Sequence, residues 1–79
     1  MASAYTCRMT HKQQVLIRFG KRVRAERVKR NISQERLGQL AKVHRTYIGM
    51  IERAEKNITI TNVEKVAKAL GLRPSQLLD

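Results

Sequence analysis

A chain of 79 residues makes one small domain, near the size at which a single core only just offsets chain entropy, so a second copy would help it. Its 17 Lys+Arg against 6 acids leave a formal charge of +11, which favours nucleic acid as partner because each neutralised phosphate releases condensed counterions; an anionic membrane surface is the competitor. The lone cysteine, Cys7, excludes an internal disulfide, no apolar run nears the ~18 residues of a membrane span, and no apolar leader opens the chain, so it reads as soluble and intracellular.

Residues 1–11 have no sustained period and are expected to form a flexible arm ahead of a domain at 12–79. Cys7 and His11 stand at i, i+4 in that arm, but His44 is the only other nitrogen ligand, so no metal site is expected. Residues 12–30 predict a long basic helix, with Val15, Leu16, Phe19, Val23 and Arg27 on one side and Gly20 its one weak helix former. Eight lysines and arginines against Glu26 make this the most basic segment, read mainly as a solvated face that adds to the long-range field. Arg27 occupies an inward register, and a buried arginine needs a partner. Asn31 suits a left-handed C′ position and ends the helix.

Residues 33–53 predict two short helices joined by a tight turn. Leu37, Leu40 and Ala41 recur at i, i+3, i+4 in the first, Ile48 and Ile51 repeat the pattern in the second, and residues 42–44 interrupt it. Ser33 is a good N-cap, Glu35 favours the helix dipole, and Ile32 with Leu37 makes a hydrophobic staple. At about 100° per residue, Arg45, Thr46, Gly49, Met50 and Arg53 share the arc opposite Ile48 and Ile51. That arc is basic, free of acids, and suited to an anionic partner. Residues 54–60 form a loop, and Thr61-x-x-Glu64 reads as a capping box that opens a helix carrying Val63, Val66, Ala67 and Leu70. Gly71 stops it, and Pro74 fits the first position of one more short helix over 74–78. Leu72, Leu77 and Leu78 leave that end apolar, either folded back on the core or joining a second chain.

These residues resemble the Cro and phage-repressor class of helix-turn-helix proteins, often called XRE, whose members read S-Q-E-x-L-A-x-x-x-G-V-S-x-x-x-I-S-x-I-E-x-G. The chain follows without a gap at Ser33, Gln34, Glu35, Leu37, Ala41, Val43, Ile48, Ile51 and Glu52. Phe19-Gly20-x-x-Val23-Arg24-x-x-Arg27 upstream and residues 66–71 downstream are also similar, so the likeness spans about 15–78. Within that class, Arg45-Thr46-Tyr47-Ile48 followed by Ile51-Glu52-Arg53 and Asn57-Ile58-Thr59 most resembles the small controller proteins of restriction-modification systems.

The resemblance implies an all-α, compact five-helix bundle of the lambda-repressor-like DNA-binding kind. It implies base reading in the major groove by Arg45, Thr46, Tyr47 and Met50. Phosphates would be held by Gln34, Lys56 and Asn57, with Thr59, His44 and Arg53 added to that set. It also implies that Arg27 and Glu52 form a partly buried ion pair, and Leu72, Leu77 and Leu78 are the residues expected at a dimer interface. Several of these positions have ordinary alternatives: Tyr47 lies on the buried border, Gln34 and Thr46 suit solvated helix positions, and Lys56 and Asn57 are common in turns. The chain departs from the pattern at Gly38, Lys42, His44 and Gly49, where the class has alanine, glycine, serine and serine.

The expected function is sequence-specific binding of a roughly palindromic duplex operator by a dimer that regulates transcription, as in an autoregulating restriction-modification operon. Two recognition helices would enter major grooves about one turn, ~34 Å, apart. A home in the cytoplasm at the nucleoid follows, and activation would need RNA polymerase as a further partner. A second reading is an antitoxin-type module that neutralises a toxin and represses its own operon. A basic membrane-surface peptide is disfavoured by Arg27 in the apolar stripe. No enzymatic site is expected, because Ser33 and His44 have better explanations as cap and turn residues; no cofactor, metal or small molecule is expected either.

Overall fold

Thr10, Ser33, His44 and Thr59 each turn a side-chain acceptor onto a backbone N–H two or three residues ahead, and a helix follows each. The computed structural model describes residues 10–78. It contains α1 (His11–Lys29), α2 (Gln34–Ala41), α3 (Arg45–Glu52), α4 (Ile60–Ala69) and α5 (Pro74–Leu78), with no strand among the described residues. Among the described residues the fold is the expected all-helical bundle of five.

Two boundaries differ from those read in the sequence. Helix α1 starts at His11 because Thr10 and Gln13 form a reciprocal capping box, the Thr10 hydroxyl accepting from Gln13 N at 3.1 Å and Gln13 Oε1 from Thr10 N at 2.8 Å. Cys7 and Arg8 lie outside the described residues. Helix α4 starts at Ile60, and its cap is Thr59, which accepts from Asn62 N at 3.2 Å; the expected Thr61-x-x-Glu64 box does not form. The earlier start places Ile58 just before the cap and Val63 at the fourth helical position. Val63 belongs to the core and Ile58 packs against it, as a hydrophobic staple requires.

Four helices end alike. Asn31, Lys42, Ala54 and Gly71 each take a positive φ, 58°, 61°, 58° and 73°. The following N–H then reaches back five residues: Ile32 to Arg27 O, Val43 to Gly38 O, Glu55 to Met50 O and Leu72 to Ala67 O. This is the Schellman arrangement, which satisfies carbonyls that a helix end leaves without partners. Only one of the four is glycine, so Lys42 and Ala54 hold a conformation that costs an L-residue about 1 kcal/mol.

Helix α1 packs on α3 and α5, α2 on α3 and α4, and α4 on α5. The core they enclose is wholly aliphatic apart from Phe19. Its largest fully covered side chains are Phe19, Leu37, Ile48, Leu77, Val23 and Val66. Two expectations are corrected here. Leu40, placed on the buried face of α2, is 43% exposed, because Leu37, Gly38 and Ala41 supply the face that meets α3 and α4. Leu77, expected at a dimer interface, is wholly buried within the monomer and has no surface to give a second chain. Leu72 is half-buried against the same core, and Leu78 alone of the three stays largely open.

Candidate nucleic-acid interface

Helix α3 is fixed from behind by backbone contacts that only glycine allows. A Cβ on Gly20 of α1 would collide with the Ile51 carbonyl and stand 3.0 Å from that of Glu52. One on Gly38 of α2 would fall 2.7 Å from the Val43 carbonyl and 3.2 Å from Arg45 N. Both helices therefore touch α3 or its preceding turn main chain to main chain. The replacement of the class's alanine at position 38 has a steric cause.

An ion-pair node locks the C-terminal end of α3 to α1. Arg27 Nε donates to Glu52 Oε2 at 2.7 Å and Nη2 to Oε1 at 3.2 Å, a forked geometry, while Nη1 donates to the Ile32 carbonyl at 2.9 Å. Gln34 Nε2 adds a bond to Glu52 Oε1 at 3.0 Å. The two charged side chains are 13% and 2% exposed, and no buried side-chain N or O among the described residues lacks a partner. Paired and saturated in this way, a buried charge is tolerated. Gln34 is thus bound to Glu52 and is not a freely solvated first-turn residue.

The outer face of α3 is different in character. Arg45 and Thr46 are exposed, and Met50 is half-buried beside them. His44 Nδ1 accepts from Thr46 N at 3.0 Å, which leaves Nε2 as the ring's other hydrogen-bonding atom. Arg53 is exposed and donates to Glu55 Oε2 at 2.9 Å, a contact that holds its guanidinium still more firmly protonated. Gly49, buried, lies under the ends of Arg53 and Gln34: a Cβ there would meet Arg53 Nη1 at 3.1 Å and Gln34 Oε1 at 3.5 Å.

Tyr47 packs half-buried against the core, and its hydroxyl accepts from Asn62 Nδ2 at 2.9 Å. Its ring is committed to packing, and only the hydroxyl proton remains to donate outward. Lys56 and Asn57 are exposed on the loop after α3, whereas Thr59, also exposed, has its hydroxyl engaged as the α4 cap. The structure thus brings Arg45, Thr46, Met50, Arg53 and His44 to one helix, and leaves Lys56, Asn57 and Thr59 on the adjoining loop. Glu55, Asn62 and Ala54 were not singled out in the sequence. The short Arg53-x-Glu55 spacing was a usable signal; nothing local pointed to Asn62, which is 15 residues from Tyr47.

A second feature lies beside the loop after α3, with Asn57 and Lys12 at its polar margin. Val15 and Leu16 of α1, Ile58, Ile60 and Val63 around the start of α4, and Leu78 of α5 line one apolar groove. Ile60, at 85%, is the most exposed large hydrophobic residue among those described.

The helix-turn-helix family model matches residues 23–77. The chain is 50% identical over 62 residues to the control protein C.BamHI of Bacillus amyloliquefaciens, an alignment covering 77% of this chain and 76% of that one. The crystal structure of the restriction-modification controller protein C.AhdI from Aeromonas hydrophila superposes with a TM-score of 0.77 at 39% identity, over 78% of this chain and 94% of that one. The P22 c2 repressor, solved in complex with a synthetic operator, gives 0.72 at 36% identity over 77% of this chain and 92% of its own. With the buried Arg27–Glu52 node and an acid-free arc on α3 both in the expected register, the chain belongs to the helix-turn-helix family, where it is similar to restriction-modification control proteins and phage repressors.

Proposed function

We propose that this protein binds a short, roughly palindromic duplex operator as a dimer and regulates transcription, and that the operon it controls encodes a restriction-modification system. The observation that carries the reading is α3 itself. Its inner side is fixed by Gly20, Gly38 and the Arg27–Glu52–Gln34 node, so its outer side presents Arg45, Thr46 and Met50 in one rigid orientation. A helix of that size fits the major groove, and Arg45 can bind guanine O6 and N7 with both arms. His44 Nε2, Arg53, Lys56 and Asn57 hold phosphates around it. The relatives in the preceding section include control proteins and a repressor bound to operator, which supports the assignment.

The second copy fits the apolar groove of Val15, Leu16, Ile60 and Leu78 better than a surface that includes Leu77. An isoleucine as open as Ile60, beside other apolar side chains, is the kind of patch that marks an interface.

Arg45→Ala tests the reading, with duplex from upstream of the protein's own gene and random duplex compared in a mobility-shift titration. Operator affinity should fall by about 1–3 kcal/mol while random-duplex affinity changes much less, and preference should relax at one base pair. An equal loss on both duplexes would move Arg45 to the phosphate contacts.

A further inference from the structure

The positive charge of this chain is concentrated away from the recognition helix. Residues 12–30 hold eight lysines and arginines against Glu26 alone and so carry +7 of the formal +11; residues 33–53 carry four against two acids, +2. Within α1 the cations are ordered. Arg18, Lys21, Arg22 and Lys29 are all exposed, and at about 100° per residue they cluster on the flank opposite Phe19, Val23 and Arg27. Ala25 sits among them and keeps the stripe open.

Little inside the molecule neutralises this stripe. Glu26 is the one acid beside it, and it is bonded to Arg30, whose proximity holds its carboxyl below the usual carboxylate range; Arg22 approaches it only to 4.0 Å. Arg18 and Lys21 form no ion pair among the described residues. Like charges at i, i+3 and i, i+4 weaken a helix. The stripe therefore opposes the stability of α1, and among the described residues no acid offsets Arg18 or Lys21.

The shape of a fitting counter-charge follows from the spacing. At 1.5 Å rise per residue, Arg18 and Arg22 stand about 6 Å apart along the axis and Arg18 and Lys29 about 17 Å. A row of that length matches a strand of phosphates rather than a single anion. Its direction matters as well. Gly20, on the inner side of α1, faces the Ile51 and Glu52 carbonyls of α3, so the stripe looks away from α3. The stripe and the outer face of α3, with Arg45 and Thr46, thus belong to different helices, and α1 meets α3 through Gly20 and not through the stripe.

We propose that the outward face of α1, built on Arg18, Lys21 and Arg22, is a second, sequence-independent surface for duplex phosphates, which holds a DNA segment other than the one α3 addresses. This rests on the DNA-binding function proposed above. The segment is either the flank of the same molecule, bent back, or a separate duplex.

The test compares the wild-type chain with R18Q/K21Q/R22Q, whose glutamines keep good helix propensity; circular dichroism checks the fold. Protein is saturated with a short immobilised duplex from upstream of its own gene and then offered a labelled random duplex. In a second arm the immobilised duplex is lengthened on both sides. Wild type should capture the labelled duplex, or bind the lengthened one more tightly. The triple variant should lose that capture or that gain at least tenfold, while its affinity for the short duplex stays within about threefold. The slope of log affinity against log salt for random duplex should also flatten by about two to three, one part per lost phosphate contact. Equal capture and equal gain in wild type and variant would overturn the proposal. So would a variant that loses binding to phosphatidylserine vesicles and keeps its duplex capture, which would make the stripe a lipid surface. Failure of the α3 reading would show separately, as short-duplex binding that Arg45→Ala leaves intact.

Discussion

The inner and outer sides of α3 use the same residue types to opposite ends. Inside, Arg27 and Glu52 meet with exposures of 13% and 2%; one residue further along, Arg53 and Glu55 meet at a similar distance with exposures of 56% and 53%. In the buried pair all three Arg27 nitrogens donate and both Glu52 oxygens accept, with Gln34 and the Ile32 carbonyl as further partners, and the pair sets where the helix lies. The exposed pair is screened by solvent and contributes little to stability, so Arg53 can leave Glu55 for a phosphate at low cost. The glycines divide in the same way. Gly20 and Gly38 face rigid carbonyls, whereas the one tight neighbour of Gly49 is the movable end of Arg53, with Gln34 at an ordinary contact distance of 3.5 Å. Burial, and not residue type, decides which contacts are architecture and which are exchangeable.

That contrast can be broken at its strongest point first. Arg27→Ala leaves the Glu52 carboxylate buried without its partner and should cost about 3 kcal/mol, read as a fall of roughly 10–20 °C in thermal midpoint. Replacing both members, Arg27→Met with Glu52→Leu, should recover most of that loss; if it did not, the pair would be an asset in itself and not merely well saturated. Next comes Gly38→Ala, expected to cost about 1–3 kcal/mol in urea unfolding because the Val43 carbonyl cannot retreat. Gly49→Ala in the same assay should be neutral or stabilising by up to ~1 kcal/mol, since the exposed Arg53 end can swing aside and alanine is the better helix former. The smallest stability effect belongs to Arg53→Gln, within about 0.5 kcal/mol, whereas its affinity for operator and for random duplex should fall together. A large change in the unfolding midpoint of Arg53→Gln would erase the distinction between the two sides.

The positions where the chain leaves its family's pattern prove to have separate causes. Lys42 takes the left-handed conformation that glycine would take freely, and Ala54 does the same at the end of α3. The surrounding Schellman bonds hold both in place, Val43 N to Gly38 O at 2.9 Å and Glu55 N to Met50 O at 2.9 Å. His44 replaces a hydroxyl cap with a ring nitrogen and still closes the first turn of α3. The turn therefore keeps its shape with different residues, and the stability given up there is local.

Much of the bundle was legible in the sequence because it is encoded over short spans. A helical stripe needs a few turns of apolar spacing, and a cap needs four residues, which is why α1, α2, α3 and α5, the Ser33 cap and the left-handed Asn31 all follow from neighbouring residues. Charge is legible for the same reason, since it is additive along the chain. The family motif then supplied the register of α2 against α3.

Tertiary structure decided what neighbours cannot. Thr59 and Thr61 are both plausible caps, and the helix starts from Thr59, with Ile58 at the position before the cap and Val63 at the fourth helical position. Leu40 and Leu77 belong to equally apolar stretches, yet one is open and the other closed, because α2 meets its neighbours through Gly38 and Ala41 while α5 folds back onto α1 and α4. The Tyr47–Asn62 and Gln34–Glu52 bonds join residues 15 and 18 apart. The sequence by itself determined that there would be helices, where most begin, and that one face would be basic. Which side chains are locked and which remain free to bind was set by packing, because burial is a property of the whole assembly and no single segment carries it.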